Sequence, residues 1–177
     1  KIRRDLPEIR RHWKNLAALA FFGMAAFHTA LYLSVNYTTA TNAALLVAIC
    51  PVLVPVLSWA LYREPISLRV VLAIAISLAG VATVITRGDL AQLRTLSFNK
   101  GDLIMLAAVF FWSMYTVLVK RRPAGLHPQS LLTATMAIAT VFLLPVYLWE
   151  HSFVRVMPVT RDSLIAVAYV VVFASIV

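Results

Sequence analysis

Charge is what this sequence has least of. Charged side chains make up 13% of its 177 residues, against roughly 25% in an ordinary soluble domain. From Asn15 to Tyr62, 48 consecutive positions hold no Asp, Glu, Lys or Arg, with His28 counted as neutral. A soluble fold has no use for such a run, because a helix that covers a water-facing core keeps a polar outer face. The single cysteine, Cys50, excludes an internal disulfide and reads as a small core residue. There is no Gly-x-Ser-x-Gly, no phosphate-binding glycine loop, no pair of carboxylates within an apolar run, and no His, Cys or carboxylate set at ligand spacing. These absences point away from an enzyme, a cofactor and a metal.

What is there is apolar length. Hydrophobic residues make up 62% of the chain. A helix rises about 1.5 Å per residue and the hydrocarbon core of a bilayer is roughly 30 Å thick, so about 20 residues cross once and the uncharged run from Asn15 crosses twice. Its polar knot, Asn36, Tyr37, Thr38, Thr39, Thr41 and Asn42, stands near the middle, where a turn between two spans has to satisfy orphan backbone groups. The other apolar runs are Val70 to Thr86, Leu103 to Val119, Ser130 to Trp149, and Ser163 to Val177, where the chain stops inside the run as a fragment of a longer protein would. None alternates as a barrel strand requires. The expected fold is an all-α integral membrane protein, a multispanning helical bundle. Asn15, Ser67, Asp102, Ser130 and Asp162 are the expected helix N-caps.

Basic residues set the orientation. Eleven lie in one set of alternate loops, from Lys1 to Lys14, at Arg63 and Arg69, and from Lys120 to Arg122; five lie in the other, at Arg87, Arg94, Lys100, Arg155 and Arg161. The richer set is cytoplasmic by the positive-inside rule. Residues 1–14 are then a cytoplasmic basic loop and residues 87–102 an external one. The net charge of +9 needs no nucleic acid to explain it, and the basic tail is attracted instead to the anionic headgroups of a lipid bilayer.

Polar groups inside a membrane face other helices or a cavity, since a charge at mid-span costs on the order of 3 kcal/mol. His28, Tyr32 and Asn36 fall at i, i+4 and i+8 on the first span; Trp112, Tyr115 and Thr116 share a face of a later one. His28 is either an interhelical contact or a group that meets substrate or proton, and the aromatic pair either packs helices or lines a pocket. Pro51 cannot donate to the carbonyl of Val47, nor Pro55 to that of Pro51, which makes either a passive kink or a flexible point with ligand-facing acceptors. Ala75, Ala79 and Thr83, beside Gly80, are a close-packing stripe.

The stretch ALYLSVNYTTATNAALLVAICPVLVPVLSW, followed by YREPIS and a span ending LAGVATVI, resembles the second part of an EamA domain of the drug/metabolite transporter superfamily, with Asn42, Pro51, Glu64 and Gly80 at the matching positions. GDLIMLAAVFFWSMYTVLVKRRP resembles the start of the second repeat. The resemblance implies ten helices in two inverted five-helix repeats around a central cavity. Residues 15–86 would be the last three helices of the first repeat, and residues 103–177 the first helices of the second. It implies a multi-pass transporter of the bacterial cytoplasmic (inner) membrane that exports small metabolites, amino-acid-like or drug-like, by alternating access. His28, Tyr32, Asn42, Pro51, Pro55, Trp112 and Tyr115 would then lie along the substrate pathway. A noncatalytic membrane scaffold or sensor subunit is the alternative. Arg63 stands where the family often has Gly, and no span carries the intramembrane acid that small multidrug exporters use, which leaves no carboxylate for proton coupling here.

Overall fold

A computed structural model describes residues 2–86, 99–123, 125–153, 160–161, 164–165 and 168–169. It divides into two compact units, Lys1–Phe142 and Leu143–Val177.

The basic tail is helical where a loop was expected. Helix α1, Ile2–Arg11, has Asp5 in its first turn and Arg10 and Arg11 in its last, the placement that opposes its dipole. The first span runs from Trp13 to Ser34 as α2 (Trp13–Ala20), a wide π-helical segment (Phe21–Ala26) and α3 (Phe27–Ser34). Asn15, expected as an N-cap, therefore lies inside α2. The hairpin turn comes where the polar knot put it. Tyr37 and Thr38 both donate backbone N–H to the Ser34 carbonyl at 2.9 Å, and Thr39 caps the next helix by accepting from the Asn42 N–H at 3.2 Å.

The second span, Ala40–Tyr62, is broken into α4 (Ala40–Val47) and α5 (Cys50–Tyr62). Pro51 has no N–H for Val47, and the chain tightens there, the Ile49 N–H reaching the Leu46 carbonyl at 3.1 Å. Pro55, by contrast, sits within the continuous α5. Helix α5 ends at Arg63, whose φ of 57° is left-handed. That is the backbone shape glycine adopts without penalty, and here an arginine takes it to end the helix. Its guanidinium lies 5.5 Å from the centre of the Trp59 ring.

Helix α6, Leu68–Thr86, begins with the Ser67 hydroxyl accepting from Val70 N–H at 3.4 Å, as the expected cap there would. The small-residue stripe Ala75, Ala79 and Thr83 is exposed, and nothing lies within 4 Å of a Cβ built on Gly80. The expected close packing is thus absent among the described residues. Helix α7, Lys100–Val119, is capped by Asn99, and Asp102, expected as the cap, is its third residue. Helix α8, Pro128–Phe153, starts before Ser130, which is likewise not its cap. Most of the expected loop 87–102, the cap Asp162 and most of the span from Ser163 fall outside the described residues.

Helix α7 is the axis of the first unit, packed against α3, α4 and α5. Ala30 and Leu46 meet Met105, Ala108 and Val109 there, with Phe27, Ile49 and Leu53 around them. Small side chains at that seam allow close approach, which in lipid replaces the hydrophobic drive that soluble helices use. Elsewhere apolar side chains are exposed. That suits lipid, and among the described residues four helices are long and apolar enough to cross a membrane, Trp13–Ser34, Ala40–Tyr62, Lys100–Val119 and Pro128–Glu150. Within the second unit, the later part of α8 carries Pro145 and exposes Leu144, Tyr147, Leu148 and Trp149.

Candidate solute pathway

The aromatic residues singled out on the first span and on α7 come together. The Tyr32 ring lies 6.3 Å from His28, His28 5.0 Å from Phe27, Phe27 4.8 Å from Trp112, and Trp112 5.3 Å from Tyr115, centre to centre. These contacts make one continuous series across two helices, within the range at which aromatic edges and faces attract. Phe27 is the bridge, and it carries no polar atom that would have singled it out in the sequence. His28 is exposed and its Nδ1 lies 2.9 Å from the Met24 carbonyl oxygen. A carbonyl can only accept, so Nδ1 carries a proton in this contact. Tyr32 is 67% and Trp112 39% exposed, so the series is an open wall in this chain.

A glycine fixes one end of it. A Cβ on Gly23 would overlap the Tyr115 ring, so Tyr115 rests directly on the backbone of the π-helical segment. Wide turns of this kind interrupt the regular helix, frequently at functional sites. Nothing in FFGMAA except the glycine signals it.

Asn42 stands elsewhere, in a knot at the hairpin end of the bundle. Asp102, 1% exposed, accepts from the Thr38 hydroxyl, from the Asn42 amide at 3.2 Å and from the Asn99 N–H at 2.8 Å. Its backbone N–H returns a bond to the Asn99 side chain at 3.1 Å, which closes a capping box. Beside it, a Cβ on Gly101 would lie 2.5 Å from the Thr38 backbone nitrogen, so only glycine lets α7 approach the turn this closely. A buried carboxylate is tolerable only with such a set of donors. Pro51 and Pro55 lie in α5, between this knot and the helix's far end, and Cys50 beside Pro51 accepts from the Ser113 hydroxyl of α7 at 3.4 Å.

The far end is basic. Lys120 Nζ donates to the buried Ser58 hydroxyl at 3.0 Å and meets Glu64 at 3.3 Å. Arg121 lies 4.2 Å over the Tyr62 ring. Near the start of α8, the Ser130 hydroxyl beside Asp5 holds that carboxyl below the ordinary carboxylate range. Burial opposes it, and the His127 backbone and charge assist. Asp5 Oδ2 and Ser130 Oγ are both buried there, without a hydrogen bond of normal geometry among the described residues. Among the described residues no three of His, Cys, Asp or Glu stand together as a metal site.

Residues 1–86 and 99–177 match the EamA-like transporter family. The uncharacterized transporter YyaM of Bacillus subtilis (strain 168) is 28% identical over 96% of this chain and 55% of its own length. An uncharacterized transporter of Archaeoglobus fulgidus is 27% identical over 93% of this chain and 55% of its own length. A third relative, YetK of Bacillus subtilis, is 28% identical over 77% of this chain and 42% of its own length. The chain thus spans about half the length of the curated relatives it matches. No solved structure matches it.

Proposed function

Since the chain belongs to the EamA-like transporter family, we propose that it forms part of an exporter of small amphipathic organic solutes, amino-acid-like or drug-like, that works by alternating access in the bacterial cytoplasmic (inner) membrane. The observation that carries this reading is the open ring series from Tyr32 through His28, Phe27 and Trp112 to Tyr115. Aromatic faces bind the apolar part of a solute, while the two phenol hydroxyls and the free Nε2 of His28 orient its polar part. The wall holds no carboxylate and no ammonium, which suits a neutral or zwitterionic solute better than a strongly charged one. Segments of the full-length protein beyond this chain close the wall into a cavity.

Asn42, Pro51 and Pro55 serve the movement. The helix is interrupted at Ala48–Ile49, between α4 with its Asp102 tie and α5 with its basic end. Such breaks are where spans of transporters bend, because a cavity or neighbouring protein can re-satisfy the freed backbone. Pro51 supplies the bend, Pro55 loosens the turn after it, and Asn42 fastens or releases the hairpin end.

Uptake of radiolabelled solutes into inverted vesicles holding equal amounts of full-length protein tests the site. Tyr32→Ala and Trp112→Ala should raise apparent KM by roughly tenfold, the loss of one aromatic contact of about 1.4 kcal/mol. His28→Gln should also raise apparent KM, since the ring face and the Nε2 that meet the solute are lost. Unchanged kinetics in all three would reduce these residues to packing.

A further inference from the structure

Where α2, α5 and α7 meet at the basic end, the structure has a partly open cavity of about 60 Å³, with Asn15, Arg121 and Arg122 exposed at it, that no step of the solute pathway uses. Asn15, Tyr62, Leu118, Arg121 and Arg122 line it. We propose that this cavity binds a phosphate ester anion, inserted between the first two spans and α7 at the membrane surface.

Three observations converge. First, the charge is uncompensated. Among the described residues Glu64 is engaged by Lys120 and Glu8 by His12, so neither arginine has a carboxylate partner. Two guanidinium groups on one concave wall repel each other and attract an anion. Second, one of them is held in place. The Arg121 guanidinium carbon lies 4.2 Å over the centre of the Tyr62 ring, a cation–π contact that anchors its fork of N–H donors beside the cavity. That fork matches two oxygens of a phosphate. Third, size and place agree. A water needs about 10–15 Å³ of such volume, so the cavity takes a handful of waters or one phosphate group and excludes a whole metabolite. Asn15 adds an amide at the start of the first span, and the apolar walls, Ala18, Leu19 and Leu118, continue toward the hydrocarbon region. An acyl chain could follow the same walls. Basic pockets between spans at this surface suit lipid phosphates, and a soluble phosphate ester offers the same group without the chain.

The test uses purified full-length protein in a neutral detergent, with thermal unfolding followed during titration with dihexanoyl-phosphatidylglycerol, dihexanoyl-phosphatidylcholine or glycerol 1-phosphate. The anionic lipid should raise the melting temperature more than the zwitterionic one. At about 1 kcal/mol for each arginine, Arg121→Gln with Arg122→Gln should weaken the effect roughly thirtyfold, and Arg122→Gln alone about fivefold. The single variant keeps the Tyr62 stack and carries the test if the double variant does not fold. Arg10→Gln with Arg11→Gln removes the same charge from α1 and should leave the response intact. A response to the lipid but not to glycerol 1-phosphate assigns a lipid headgroup; an equal response to both assigns a soluble phosphate ester. No response to either, or an equal loss in the α1 variant, overturns the site.

Discussion

The two ends of the helical bundle are held by opposite means. At the hairpin end, a carboxylate buried from water is saturated by a hydroxyl, an amide and a backbone N–H, and a glycine lets two backbones touch. At the basic end, Lys120 and Glu64 form an ion pair whose side chains are 47% and 41% exposed, and arginines lie on aromatic rings. The first kind of contact is strong and all-or-none, because losing one partner strands the others in a low-dielectric site. The second is weak and graded, since water can take over each half. On the alternating-access reading proposed above, this difference would give a stiff closure on one side and a yielding one on the other.

The largest effect should come from Asp102→Ala. It leaves the Thr38 hydroxyl, the Asn42 amide and the Asn99 N–H facing an empty place, at about 3–5 kcal/mol, measured by reversible unfolding of the full-length protein in mixed micelles. A cost under about 1 kcal/mol would erase the contrast between the ends. Gly101→Ala comes next. Its methyl group meets backbone that cannot swing aside, so about 1–3 kcal/mol is expected, together with faster hydrogen exchange of the Tyr37 and Thr38 amides. At the basic end, Glu64→Gln should cost only about 0.2–1 kcal/mol and should matter less as salt is raised, which the same unfolding experiment checks. The smallest effect concerns Asp5. Its carboxyl titrates below its ordinary value in the folded chain, so the stabilisation it gives is complete above the unfolded pKa and lost as pH falls through the lower folded one. Hydrogen exchange of α1 should therefore speed up as pH drops below about 4, relative to the intrinsic rate, and Asp5→Asn should remove that dependence.

The hairpin end also shows what the sequence could and could not reveal. The turn was legible because Asn36 to Asn42 interrupts an uncharged run, and the break at Pro51 because proline removes a donor wherever it stands. The cap of α7 was misread for a chemical reason: Asn99 and Asp102 both carry the oxygen a cap needs, and a capping box uses both. The burial of Asp102 depends on Thr38 and Asn42, more than fifty positions away, which no local pattern reports. In α1 the signal was present and outweighed. Ile2, Leu6 and Ile9 keep helical spacing, in a segment whose basic residues marked it as a cytoplasmic loop. The π-helical segment has no composition of its own, and its place against Tyr115 is a fact of tertiary packing.

The central place of α7 has a consequence for the order of events as the chain is made. Spans enter the bilayer in sequence, so the hairpin of α2 to α5 is in place while α7 is still being synthesised. Until then Ala30 and Leu46 lack Met105, Ala108 and Val109, and the hairpin turn waits for an aspartate that lies 64 positions after Thr38 and 60 after Asn42. Helix α6 is made before α7 yet takes no part in that core. The hairpin is thus finished by a helix made only after α6, and a chain interrupted before Asp102 leaves that hairpin in the membrane without the carboxylate that ties its turn.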